Sequence, residues 1–262
     1  MIPGLAFCND IDFADWATYR EVHHVLSEEF GIEAEDSFWL FDPGGSEMAL
    51  FKGSMSEKGV RHDELLDEIQ NGRLTILHSA GNFSRSNTAL RPCRRQIAEC
   101  LAYVRERAKI PQIWTNHGDE GDIQNIGGEA PTYQKGDDPS SEIYLLDLLL
   151  QSGFRFFWTD HHSSNEFIFL PMSPPYPQLL VKEKTRSGHT ITCFLRYRGA
   201  LPKAPDAQTL GQQLTEQNME RLIQSKGATV IYQHWCTHRD REGRPYTASR
   251  PIFPPSMAPS TI

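Results

Sequence analysis

Short apolar runs alternate with stretches of helical spacing along most of this chain, and the runs share a habit of ending on a polar residue. The first, residues 5–13, ends in two acids, Asp10 and Asp12, which an extended backbone points to the same side because side chains alternate with period two. Taken alone, the motif reads first as an N-cap, Asp12 or Asp15, of the helix that follows, since Trp16, Tyr19, Val22, Val25, Leu26 and Phe30 recur near helical spacing up to Gly31. Residues 37–41 and 48–52 are β-type runs around Asp42-Pro43-Gly44-Gly45, a pattern that predicts a hairpin. A helix over 60–69 closes at Asn71-Gly72, and the strand 74–78 ends in His78.

A long helix over 87–107 places Ile97, Leu101 and Val104 on one face and its arginines on a solvated one. The strand 112–117 ends in Asn116-His117. Residues 118–141 are rich in Gly, Asp, Glu and Pro with little periodicity, which is read as a loop insertion forming a lid over the active site, with disorder as the alternative. Tyr144, Leu145, Leu148 and Leu149 mark a helix that closes at Gly153, and the strand 154–159 runs into Asp160-His161-His162. Two runs, 178–181 and 190–196, form an excursion about Ser187-Gly188. Leu210, Leu214, Met219, Leu222 and Ile223 form a helix stopping at Gly227, and the strand 229–234 ends in His234. Residues 241–262 are a proline-rich tail, read as the stub of a missing final helix.

Strand then helix, with the polar residue at the strand's C-terminal end, predicts an α/β fold with a parallel sheet, helices outside and one active rim. A closed barrel in a single domain over 1–240 is favoured over an open sheet, because an open sheet would gather its ligands at one switch point whereas here nearly every strand contributes one.

Charge and cysteine usage narrow the partners. The 262 residues carry a formal net charge of -8 with acids and bases interspersed, and no basic patch stands out. This excludes nucleic acid and an anionic membrane as partners, since both demand a cationic face. Cys8, Cys93, Cys100, Cys193 and Cys236 form no CxxC pair and suit free thiols in a reducing compartment. No basic segment followed by a long apolar one opens the chain, and no run approaches the roughly twenty residues of a membrane span, so a soluble, cytoplasmic protein is expected. Met1 stands almost against the first strand, which leaves room for a trimmed leader. Oligomeric state leaves no mark in the sequence.

Asp10-Ile11-Asp12, His78-Ser79-Ala80-Gly81-Asn82, Asp160 and His234 resemble the ordered motifs of the polysaccharide deacetylase (NodB-homology) superfamily over residues 5–234. The resemblance implies a distorted (β/α)7 barrel and a carbohydrate-metabolism hydrolase that removes an N-acetyl or related acyl group from a sugar. By it, Asp10 is the catalytic base, Asp12 and His78 bind a divalent metal (zinc or another transition metal), His234 is the general acid, and Asp160 orients its imidazole. The family's HSxxH segment supplies two histidine ligands, but its fifth position here is Asn82, whose harder amide oxygen biases the site away from zinc. His117, His161 or His162 is a possible substitute ligand or substrate contact. The family's arginine-proline motif is not evident around residues 114–118.

The chemistry fits those residue types. A divalent ion lowers the pKa of a bound water toward neutrality, a carboxylate accepts the proton, and a protonated imidazole donates to the departing amine. Asn82 and Asn116 read equally as cap or turn residues. Trp16, Trp39 and Trp114 are expected in the core, while Trp158 and Trp235, beside site residues, are the sugar-stacking candidates. Two other readings remain: a catalytically impaired barrel that binds carbohydrate, and a metal-dependent phosphoesterase. The latter rests on Asp160-His161-His162, which resembles the DHH phosphoesterases although their GGGH segment is absent.

Overall fold

The structure, a computed structural model, describes residues 2–83, 93–118, 122–127, 134–160, 162–170, 178–199, 201, 204–237 and 239. In chain order the elements begin with β1 (Gly4–Asn9), α1 (Trp16–His24) with a π-helical turn (Val25–Glu29), β2 (Asp36–Phe41), β3 (Ala49–Phe51) and α2 (His62–Gln70). Next come β4 (Leu74–His78), α3 (Arg94–Arg107), β5 (Ile113–Thr115), α4 (Leu146–Ser152), β6 (Phe156–Trp158) and β7 (Ser163–Ser164). The chain continues through β8 (Leu180–Lys184), β9 (Thr190–Phe194), β10 (Arg196–Tyr197), α5 (Leu210–Gln213), α6 (Glu216–Ser225) and β11 (Ala228–Gln233). The expected tail over 241–262, the start of the helix expected from residue 87, and His161 lie outside the described residues.

The chain divides into two compact units. The first comprises Met1–Asp36, Ser163–Leu179 and Leu195–Ile262. Its strands run in the order β7, β10, β11, β1, all parallel, and β1 pairs with β11 along its whole length from Gly4↔Ala228 to Asn9↔Gln233. Asp15 is the residue that caps α1, accepting the Thr18 amide at 2.7 Å and satisfying one of the donors a helix start leaves open. The single helix expected over 210–223 is broken, because Thr215 begins a new helix by accepting the Asn218 amide at 3.2 Å. Lys226, not Gly227, takes the left-handed cap at φ 53°.

The second unit comprises Ser37–His162 and Leu180–Phe194. Strands β4, β5, β6 and β9 are parallel neighbours, β2 lies beside β4, and β8 closes the far edge antiparallel to β9 around Gly188 (φ 82°). The hairpin expected around residue 43 is not one: β2 and β3 pair in parallel, Trp39 with Ala49 and Phe41 with Phe51. Asp42 explains the path. Its carboxylate accepts the amides of Gly44 and Ser46, both at 2.8 Å, and folds the connection so that the chain returns in its original direction. Within the described parts of the expected lid, Asp122, Gln124, Asn125, Ile126 and Asp137 are buried, while Pro139 and Ser140 are exposed.

The architecture is thus mixed α/β with mostly parallel strands. No disulfide joins the five cysteines. Among the described residues no helix is long and apolar enough to cross a membrane.

Candidate functional site

In the first unit the ends of β1 and β11 lie side by side, so that the residues following them share a neighbourhood. The Asp10 amide donates to the Gln233 carbonyl at 2.8 Å. The Asp10 carboxylate is buried, and Nη1 of Arg196 donates to both of its oxygens at 3.0 Å. Arg196 is itself fully buried, with its guanidinium carbon 3.9 Å from the centre of the Tyr232 ring. Burial disfavours the charged guanidinium, but Asp10, with smaller contributions from Cys8 and Tyr232, more than offsets it and raises the group above its ordinary value.

The carboxylate beside His234 is that of Asp12, where Asp160 was expected. It lies 3.2 Å from Nε2 of His234, with the Tyr232 hydroxyl 3.3 Å from the same nitrogen, while Nδ1 lies 3.1 Å from the Pro205 carbonyl oxygen. A carbonyl and a carboxylate only accept, so an imidazole held between them is served best by carrying both protons. Burial alone would push His234 down, yet the Asp12 hydrogen bond and charge, with Asp10 behind them, raise it above the ordinary imidazole value. One of the acid and histidine groupings that could hold a metal is Asp10, Asp12 and His234.

In the second unit, β4 and β5 deliver His78 and His117. His78 is buried, its Nδ1 2.8 Å from the Thr115 hydroxyl. The Asp122 carboxylate contacts Nδ1 of His117. The acceptor-only Asp122 carboxylate favours the proton on Nδ1 of His117 and leaves Nε2 as the nitrogen with the lone pair, the form in which histidine ligates metals, whereas the Thr115 hydroxyl can serve His78 as donor or acceptor. The two rings stand edge to face with centroids 5.0 Å apart, a ligand nitrogen of each within 4.8 Å of the other, and Trp39 stacks 5.9 Å from His78. Asp122 is held in turn by the Phe83 amide at 3.3 Å and Gln124 Nε2 at 3.0 Å. Asn82 Oδ1 is buried and has no hydrogen-bond partner among the described residues.

Asp160 accepts from Asn116 Nδ2 at 3.4 Å and from Gln134, both in its own unit. Asn116 is no simple turn residue, since its Oδ1 also receives the Ile126 amide at 2.9 Å. His162 contacts Thr159 and Glu183. The two stacking candidates are core residues instead: Trp235 is fully buried and donates to Asp36 at 3.1 Å, and Trp158 is buried in β6.

Phe13, directly after Asp12 in the first unit, is 77% accessible and lies at φ 61°. Ser79, directly after His78, also lies in the left-handed region at φ 52°. Such conformations cost non-glycine residues energy and gather at functional sites. Sequence reading missed Arg196, Tyr232, Asp122 and Phe13; only Tyr232, two residues before His234, carried a signal, through the period-two rule. No family model, curated protein or solved structure matches the chain.

Proposed function

We propose that this protein is a metal-dependent hydrolase of the polysaccharide deacetylase kind, removing an acyl group from an amino sugar. The observation that carries the reading is the Asp12–His234 pair at the end of β11, in which an imidazole lies between two acceptors and the Asp12 carboxylate raises it above the ordinary imidazole value. In this reading His234 is the acid that protonates the departing amine. Asp12 and the Tyr232 hydroxyl orient its ring, and Asp10, held by Arg196, accepts the proton of the attacking water. His78 and His117 fit a divalent transition metal because each has Nδ1 engaged and presents Nε2. When bound, such an ion supplies a water of lowered pKa and a charge for the oxyanion. Phe13 offers the exposed ring on which a sugar face can stack. The fold that belongs with this reading is the distorted (β/α)7 barrel, supported by the parallel strands and intervening helices.

The test is acetate release from N-acetylated oligosaccharides, assayed with chelator and after return of zinc, cobalt or manganese, beside phosphate release from a model diester. Metal-dependent acetate release is expected, and His234→Ala should lower it about 10²–10⁴-fold. Phosphate release without acetate would favour the phosphoesterase instead. A second reading, sugar binding without turnover, is favoured by the closure of Arg196 on Asp10. Sugar binding unchanged by Asp10→Asn, with no acetate released under any metal, would establish it.

A further inference from the structure

A second cluster of metal-ligand chemistry lies in the second unit, built by three parallel or paired strands. Cys193 on β9 pairs with Phe157 of β6 on one side and with Val181 of β8 on the other. Glu183 stands two residues along β8 from Val181, so it shares a face with Cys193 as its diagonal neighbour. His162 follows the end of β6, and Thr159, at 2.5 Å from its Nδ1, sets the ring so that Nε2 faces Glu183. One carboxylate oxygen of Glu183 lies 3.4 Å from His162 Nε2 and 3.3 Å from Cys193 Sγ. Ligand atoms of all three residues lie within 4.8 Å of one another.

We propose that His162, Glu183 and Cys193 form a metal site for a thiophilic divalent cation such as zinc, independent of the hydrolase reading. The separations support it. A tetrahedral zinc with nitrogen and oxygen ligands at about 2.0–2.1 Å and sulfur at about 2.3 Å spaces its ligand atoms roughly 3.3–3.6 Å apart, the range in which both measured contacts fall or to which they come close. The charges match as well: one thiolate and one carboxylate neutralise a divalent ion, with a neutral imidazole and a water to complete the tetrahedron. Glu183 is the most exposed of the three, its side chain 25% accessible, and gives the ion its way in. Its other oxygen lies toward Gly127, 3.5 Å from where a Cβ at that glycine would stand. Burial, with Glu183 adding to it, holds the Cys193 thiol protonated, so binding releases that proton to solvent as the sulfur–metal bond forms.

Cobalt(II) titration of the metal-free full chain tests this, because a thiolate ligand gives a near-ultraviolet charge-transfer band that nitrogen and oxygen ligands do not. The band is expected in the wild type, lost in Cys193→Ser, and kept in His78→Ala, which alters only the imidazole pair of β4 and β5. Its absence, or its persistence in a folded Cys193→Ser protein, overturns the site. Cys193 is a core residue, so Glu183→Gln provides a second arm if Cys193→Ser fails to fold. There the cobalt concentration for half-saturation of the band should rise at least ~10-fold, and an unchanged titration overturns the proposal.

Discussion

Arg196 and Asp10 form a buried ion pair, one guanidinium nitrogen donating to both carboxylate oxygens at 3.0 Å across 186 positions of sequence. The strength of such a pair shows when one half is removed, because the remaining charge is left buried without compensation. Arg196→Met should therefore destabilise the protein by roughly 3–5 kcal/mol in urea unfolding, and Asp10→Asn/Arg196→Met by clearly less than the sum of the two single variants. A loss under about 1 kcal/mol for Arg196→Met would show that the pair does not tie the end of β1 to β10.

His234 carries the pH dependence. Its folded-state value is raised, so its contribution to stability is present in full below the unfolded imidazole value and is lost as pH rises through the folded one. The groups facing it are Asp12, Asp10, the Tyr232 hydroxyl and the Pro205 carbonyl. Urea midpoints of wild type and His234→Gln should consequently converge as pH rises above neutrality. A proton-NMR titration should place His234 above an exposed histidine in wild type and lower in Asp12→Asn, where burial acts without the opposing carboxylate. A His234 titration unmoved by Asp12→Asn would refute the pairing.

Periodicity exposed the elements whose apolar faces are local in sequence. Strand β4 was legible to the residue, and the helix ending at Gly153 nearly so: Tyr144, Leu145, Leu148 and Leu149 announce it, it spans Leu146–Ser152, and Gly153 takes φ 106°. Direction is not local. Asp42-Pro43-Gly44-Gly45 announces a turn, yet whether the next strand returns antiparallel or parallel depends on how Asp42 gathers the amides after it. Composition marked 118–141 as a loop for a related reason, but it could not show that Asp122, Gln124 and Asn125 within it are buried and bonded to neighbours in the same unit. The candidate groups were visible in the sequence as residue types at strand ends. Their pairings were not, since Asp12 rather than Asp160 meets His234, and Arg196 sits in a two-residue strand with no motif around it.

Gly81, inside the motif that begins at His78, is required by space. A Cβ there would collide with the Phe41 carbonyl and lie 2.8 Å from the Phe83 ring, and neither a backbone oxygen nor a packed ring can retreat cheaply. Gly81→Ala should cost roughly 1–3 kcal/mol as an overpacked position, seen as a lowered melting temperature. Gly72→Ala provides the contrast: no atom crowds its Cβ, and its φ of 79° penalises alanine only through the backbone. Equal losses at the two positions would count against the steric account.

Asp122 decides which nitrogen of His117 is available to a metal. Its carboxylate accepts only, so the proton at the contact belongs to Nδ1 and the lone pair to Nε2. Asp122→Asn keeps the shape, and its amide oxygen can still receive the Phe83 amide and Gln124, but its NH₂ group can donate to Nδ1 and drive the proton to Nε2. Metal affinity measured by competition with a chromophoric chelator should then fall about 10–100-fold, with the fold and the melting temperature of the metal-free protein nearly unchanged. Thr115→Val, which removes the hydroxyl beside His78 Nδ1, should weaken binding less, because a hydroxyl both donates and accepts and so fixes the tautomer less firmly. Affinity equal to wild type in Asp122→Asn would mean that His117 is not a ligand, and His78 would then need a partner other than the imidazole beside it.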